Sequence, residues 1–343
     1  MWLMSSPWFA VRNLALVALA VTAAAATRPH YGGTLYVEMR QSFETPDPPT
    51  TGYGMPDLAR GFAITSWEAG RRAVYAADEN APGGRPFLDS VEIEMARPLR
   101  DQSIDLEVGK TDLVELGSSE VRRQPAGRKV WSSAPVRLVA LVFSARVEDA
   151  RIREALALAV DRAAIHNVLL QRQGEVSAAL LPQWLSGYAF LFATAVDSAR
   201  ARTLVAGLPA AVRAISLGVE DASARPIAER IALNARDAGL TVSVLSQAAG
   251  ADVRLVEVRI GSLDPALALA GTAAALGLSE PPRADTPGAL YSAERALLEG
   301  FRVIPLFHLP DVYGVNPRVK GRPGITPLGE WRFENLWVEG GRP

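Results

Sequence analysis

The chain contains no cysteine. That removes disulfides, thiolate nucleophiles, cysteine-ligated zinc and a lipid-modified N-terminal cysteine from consideration. Histidine is scarce as well. His30, His166 and His308 are the only three, and none stands in a metal-ligand spacing such as HExxH. GxSxG elbows, Walker A loops and GxGxxG turns are missing too. Neither charge sign dominates. The formal net charge is -1, so no global basic field exists to attract nucleic acid. The acidic pairs Glu148-Asp149 and Glu220-Asp221 stand at the starts of predicted helices, where a carboxylate suits the N-terminal dipole. They read as caps rather than as a catalytic pair. The sequence therefore offers no constellation of an enzyme, and neither a cofactor nor a metal is expected.

What is present is an ordinary soluble composition, 49% apolar and 21% charged over 343 residues, long enough for two lobes with their own cores. The basic residues are nearly all arginine and alanine is abundant, which reads as coding bias. At the N-terminus Arg12 precedes an apolar run over residues 14–25, followed by the small-residue site Ala24-Ala25-Ala26. The run is too short to cross a hydrocarbon core about 30 Å thick. Residues 1–26 are thus expected to be a cleaved signal peptide that sends the protein to the periplasm.

Two zones follow. Residues 30–135 read as strands and loops, with strands over 33–39, 61–67, 71–76 and 90–95. A loop rich in proline, threonine, glycine and aspartate covers 42–56. From 136 to 309, helices alternate with strands. Residues 138–143 form a continuous apolar run, as in a strand buried on both faces. Asp149 is placed to cap a helix over 150–173 that buries Ile152, Leu156, Ala159, Val160 and Ala163, and Gly174 would stop it. Strands at 212–219 and 240–245 flank a helix over 222–238, the order of a parallel crossover unit. A strand over 253–260, helices over 265–276 and 287–299, and a strand over 303–308 complete the zone. The tail is turn-rich and aromatic, with Trp331, Phe333 and Trp337.

Several of these segments resemble one family in order along the chain. Gly32-Gly33-Thr34-Leu35 is similar to its opening strand, and QSFETPDP at 41–48 to the loop that follows. GFAITSWEAG at 61–70 resembles the strand and turn before its "WGG.P.LD" segment, and GGRPFLDSVEI at 83–93 resembles that segment itself. LEVGKTDL at 106–113 resembles a helix end. VEDARIREALALAVDRAAI at 147–165 resembles its "d.rvRqAla.aiDr..i" helix most closely. Residues 228–242 resemble a helix ending in "Gi.v", and PLFHLPDVYGVNPRVKG at 305–321 the closing segment. The family is the peptide/nickel (dipeptide/oligopeptide) group of extracellular solute-binding proteins of ABC transporters, family 5.

That resemblance implies an α/β, two-lobed periplasmic-binding-protein-like fold with a hinge between the lobes. Lobe I would cover 27–135, completed by 310–343, and lobe II 136–309. Hinge strands would lie near 136–141 and 306–313. Family members usually carry a small extra domain, but here residues 42–63 span that gap, so the domain is expected to be absent. The implied ligand contacts are Ser42, Phe43 and Glu44 in lobe I and Arg259, Ile260 and Gly261 in lobe II. Trp184 and Tyr188 lie in a loop that approaches the cleft in the family, although core packing suits them equally. Peptide-binding relatives often show "W..D..DP" where this chain has Val258, Gly261 and Asp264-Pro265. The amine-binding aspartate is thus replaced by Gly261, and an ammonium buried without a carboxylate is costly. Arg259 hints at an anionic ligand if it faces the cleft. The implied partners are a small-molecule or peptide ligand and an inner-membrane ABC permease, served by a monomer. The alternative is a diverged, non-transporting interaction or structural relative.

Overall fold

A computed structural model describes residues 28–45, 61–117, 120–121, 129–188, 190–328 and 330–340. The expected signal peptide and most of the 42–56 loop lie outside the described residues. Among the described residues no helix is long and apolar enough to cross a membrane.

The first part of the chain forms β1 (Thr34–Glu38), β2 (Phe62–Glu68), β3 (Arg72–Ala77), β4 (Ser90–Glu94), α1 (Leu99–Glu107) and β5 (Leu113–Glu115). The long β6 (Lys129–Phe143) then leads into α2 (Ala150–Ala159), α3 (Arg162–Val168), β7 (Glu175–Val176), α4 (Gln183–Ser186) and α5 (Ser198–Val205). Next come β8 (Ala214–Val219), α6 (Arg225–Asp237), β9 (Thr241–Leu245), β10 (Val253–Arg259), α7 (Pro265–Ala275) and α8 (Pro287–Leu298). A second long strand, β11 (Val303–Val315), returns the chain. The tail adds β12 (Val319–Lys320), β13 (Gly324–Ile325), β14 (Trp331–Arg332) and β15 (Trp337–Val338), paired as β12–β15 and β13–β14.

One mixed sheet carries the molecule, in the order β2-β3-β4-β1-β5-β11-β6-β10-β8-β9, with β7 against β11. Only β6 and β11 belong to both ends of it. Their outer stretches pair from Lys129↔Val315 to Pro135↔Pro310, and their inner stretches from Arg137↔Leu309 to Val142↔Val303. Along the inner stretch of β6, Val139, Leu141 and Phe143 enter one core while Leu138, Ala140 and Val142 enter another. Period-two alternation with apolar residues on both faces explains the unbroken apolar run at 138–143. The first of these cores contains residues of α2, α5 and α6, the second residues of α7 and α8. A separate core gathers Leu35, Leu88, Val91 and Ile93 with the tail residues Trp331, Phe333 and Leu336. These cores define lobe I, which includes the tail, and lobe II. The α/β two-lobed expectation matches this architecture. Strand β8 pairs in parallel with both β9 and β10, the arrangement the strand-helix-strand order predicts.

Some expectations need correction. The helix read over 150–173 is two helices. Val160 is extended (φ -67, ψ 113), and Asp161 caps α3 by accepting from the Ala164 N–H. Asp149 caps α2 as its sequence position suggests. Gly174 does not stop a helix, since α3 ends at Val168. Its φ is +70, and a Cβ there would meet the His308 carbonyl oxygen at 2.1 Å. Glycine is needed for close approach to β11. Helix α1 interrupts the zone read as strands and loops and ends where the resemblance places a helix end; LRDQSIDLE buries only Gln102 and Leu106, too little for an apolar stripe to show in the sequence. Both crossing strands run further than their apolar runs suggest, β6 upstream through Lys129 and β11 downstream to Val315. Their outer stretches are held by pairing with each other and by lobe I, so their polar residues do not prevent strand formation.

Candidate functional site

Where the two lobes face each other the structure encloses a cavity of about 750 Å³. Its floor is the middle of the crossing strands, with Arg137 and Val139 from β6 and Leu309, Asp311 and Tyr313 from β11. Lobe I supplies Arg40 and Gln41, just after β1, and Glu115 to Gly117 at the end of β5. Lobe II supplies the turn after α3, residues 168–171 and 173, and the segment from Glu220 to Ile227 that leads into α6. Walls from both lobes over a strand floor form a concave site of the size that takes a small ligand.

Charged floor residues interrupt otherwise apolar strands, and they are paired. Asp311 receives Arg259 at 2.6 Å on one oxygen and Arg137 at 3.0 Å on the other. Arg137 also reaches Glu257 at 2.7 Å and the Pro310 carbonyl at 2.7 Å. Burial alone would favour the neutral form of Arg137, but Glu257 and Asp311 hold it firmly protonated. Arg259 donates further to the Leu328 carbonyl at 2.8 Å. Asp311 is fixed in turn, because its N–H donates to Ser133 Oγ at 2.9 Å. At the cleft edge Arg40 pairs with Asp221 across the two lobes, while Asp221 also accepts from the Ser223 N–H at 2.8 Å. Glu115 accepts from the Arg40 main-chain N–H at 2.6 Å. Burial pushes its carboxyl above the usual range, against the pull of Arg40.

Of the eight residues singled out in the sequence, Arg259 alone lines this cavity. Phe43 is 8% exposed and sits in the lobe I core, and its carbonyl accepts from the Gly70 N–H at 2.8 Å. Ser42 and Glu44 are exposed. The Glu44 carbonyl accepts from Trp67 Nε1 at 3.4 Å, so this segment faces the β2–β3 turn. Ile260 is fully buried in the lobe II core. Gly261 is half-buried and an added Cβ would meet nothing within 4 Å. Trp184 is 37% exposed and donates to the Pro135 carbonyl at 2.8 Å, beside the crossing strands but outside the cavity lining. Tyr188 donates to Glu294 at 2.6 Å and meets Tyr291 edge-on, so it packs at the core margin. Arg259 does face the cleft, but its charge is already met by Asp311, which removes the hint of an anionic ligand.

The remaining lining residues carry no motif. Arg137 and Asp311 did leave a trace: each is a charge inside a strand otherwise made of core residues (VRLVALVF and LFHLPDVYGV), where a charge needs a special partner. Glu115 left none, and Asp221 showed only as a helix-start acid. Among the described residues no group of three His, Cys, Asp or Glu is placed to hold a metal ion. His308 is fully buried with Nε2 3.1 Å from the Leu180 carbonyl, and His166 Nε2 lies 3.2 Å from the Gly174 carbonyl.

The model of the bacterial extracellular solute-binding proteins, family 5 middle, matches residues 59–274. Among curated proteins no sequence matches. Solved structures do match in fold. The ABC transporter substrate-binding protein CtaP of Listeria monocytogenes superposes with a TM-score of 0.65 at 15% identity, over 82% of this chain and 66% of that one. A dipeptide-binding protein of Pseudoalteromonas sp. SM9913, solved with Met-Leu, gives 0.64 at 14% over 81% of this chain and 64% of its own. NikA of Staphylococcus aureus, solved with Ni(L-His)2, gives 0.62 at 14% over 81% and 68%. The chain therefore spans about two thirds of the length of these proteins.

Proposed function

The chain belongs to the bacterial extracellular solute-binding proteins of family 5, and from that premise we propose that it captures a small or peptide-like solute between its lobes and delivers it to the permease of an ABC importer. The observation that carries this reading is the 750 Å³ cavity, with walls from both lobes and a floor made by the two strands that cross between them. A cavity so divided is enclosed or exposed by rotation about the crossing strands. The reading includes a division into lobe I (27–135 with 310–343) and lobe II (136–309). It also includes export to the periplasm by the N-terminal 26 residues, and action as a monomer without catalysis or a cofactor.

Similar folds solved with Met-Leu and with Ni(L-His)2 support a small solute as cargo. The absence of an acid at Gly261 argues that any amine is held elsewhere in the cleft. A second reading is favoured by the chain's shortness relative to its solved neighbours, 64–66% of two of them. In it the chain is a non-transporting relative that binds another macromolecule. Native mass spectrometry of the periplasmic protein decides between them. A discrete solute released on denaturation is expected. A bare protein that also shows no thermal shift with peptides, sugars or metal chelates would leave only the second reading.

A further inference from the structure

Resting on the solute-capture reading, we infer that the cleft selects an amphipathic cation, with an ammonium or guanidinium head seated at Glu115 of lobe I and an apolar body against the walls. Three observations carry this.

The first is charge. Carboxylates lining the cavity outnumber guanidiniums six to three, and no lysine lines it.

The second is which groups are already engaged. Every lining guanidinium has a carboxylate partner: Arg40 has Asp221, Arg137 has Glu257 and Asp311, and Arg259 has Asp311. An anionic solute would have to displace one of these. The Glu115 carboxylate, by contrast, is met by the Arg40 main-chain N–H and the Gln102 side chain, and among the described residues no ion pair engages it. An ionised carboxylate offers about four lone-pair sites, so Glu115 keeps acceptor capacity in hand. It also lies close enough to Asp311 and deep enough for both to disfavour its ionised form, which a bound cation would relieve.

The third is the rest of the wall. Val139, Leu116, Leu170, Ile227, Leu255 and Val312 are all buried and all line the cavity. They form an apolar strip beside Glu115 that suits hydrocarbon, while Gln41, Gln171, Gln173, Glu220 and Ser223 make the remaining wall polar.

The test is calorimetric titration of the mature protein with three probes that share an apolar body and differ in charge. These are leucyl-leucinamide (cationic), N-acetyl-leucyl-leucinamide (neutral) and N-acetyl-leucyl-leucine (anionic). The cation should bind at least tenfold more tightly than the neutral probe, and the anion least. Cation binding should weaken as pH falls and Glu115 takes up a proton. E115Q, which keeps an acceptor for the Arg40 N–H, should bring the cation down to the neutral probe's affinity. Equal binding of the neutral or anionic probe by the parent protein overturns the inference without any variant, and so does an E115Q protein that keeps the preference. If no probe binds, the solute released in native mass spectrometry decides. A cationic solute upholds the inference, while a neutral or anionic one overturns it and leaves solute capture standing. A bare protein overturns solute capture itself.

Discussion

The two lobes bury polar groups in different ways. In lobe I the buried charges end mainly on other side chains, while the uncharged Gln102 and Thr111 meet the backbone. Asp112, 1% exposed, accepts Arg318 through both oxygens at 2.5 and 2.6 Å, which ties the tail to β1 and β5. Glu38 lies within 3.6 Å of Arg97, which donates to Asp105, and Asp105 also receives Lys110. In lobe II the buried polar groups end almost entirely on the backbone. Arg153 donates to the carbonyls of Gly300, Val147 and Glu148, and Arg162 to those of Pro305 and Ala157. Glu294 accepts the N–H groups of Leu180 and Leu181, with only the Tyr188 hydroxyl as a side-chain partner. The difference follows the local backbone. Lobe I strands are paired with neighbours and need only be linked together. Lobe II contains irregular segments (the turn at Gly300, the chain at 178–181, the register shift after Pro305) whose main-chain groups have no ladder partner and are met by long side chains instead.

This contrast can be broken by substitution. Removing one partner of the lobe I pair, as in Asp112→Ala, strands a largely buried guanidinium and should cost about 3–5 kcal/mol, the largest effect here. The double variant D112L/R318M should recover most of it, since an apolar pair of similar volume often replaces a buried ion pair at little cost. Chemical denaturation of the three proteins gives the comparison, and a double variant as unstable as the single one would contradict it. For lobe II, Arg162→Met should cost about 1–3 kcal/mol by leaving the Pro305 and Ala157 carbonyls unmet. No second side-chain replacement should restore it, because the partners are main chain. Complete rescue by any substitution at 157 or 305 would show that the lobes do not differ as described.

A smaller effect separates the lobes by pH. Burial first, and the Asp105 carboxyl second, push Glu38 in lobe I up to about 7. The folded chain then takes up that proton before the unfolded chain does, so the Glu38 contribution to stability grows as pH falls from 7 to 4.5 and is lost as pH rises through that window. Burial pulls His308, on β11, down to about 4, although the Leu180 carbonyl acts in the opposite sense. Here the unfolded chain protonates first, so its contribution is lost as pH falls from 6.5 to 4. The two oppose each other between about pH 6.5 and 4.5. Thermal melts across that range should show His308→Gln losing less stability on acidification than the parent, and Glu38→Gln losing more. Parallel curves for all three proteins would refute both assignments.

The smallest effect on stability belongs to the contact between lobes. Arg40→Ala removes an exposed ion pair and should change stability by less than about 1 kcal/mol. The same pair spans the cleft, so its loss should show in kinetics. Stopped-flow release of bound solute should be several-fold faster than in the parent, and an unchanged release rate would mean that the pair does not hold the lobes together.

Much of the scaffold was legible in the sequence because period and punctuation act locally. Strands β1, β3 and β4, the Asp149 cap, and α6, α7 and α8 all follow from alternation or from one buried helical stripe. The break at Val160-Asp161 was not, since both residues also fit the apolar and polar sides of one continuous helix. The tips of β6 and β11 escaped because long-range pairing, not local composition, makes them strands. The site was the least legible part. Family resemblance directs attention to residues 42–44 and 259–261, whereas the cleft is lined from the turn after α3, the approach to α6 and the middle of two distant strands. Nothing local in Glu115 or Asp221 reveals that the 105 intervening positions fold so as to bring both to one cleft.

The two crossing strands have a mechanical consequence. They are joined along their length by a hydrogen-bonded ladder, unlike a pair of flexible linkers, and the ladder slips register between Pro305 and Phe307, Leu309 and Pro310, and Pro310 and Val312. A ribbon of this kind resists stretching and sideways shear but yields in torsion where its rungs are missing. All three slips lie within eight residues and alongside Asp311. The crossing ribbon's weakest rungs thus form one short torsion bar directly beneath the charges that line the cleft.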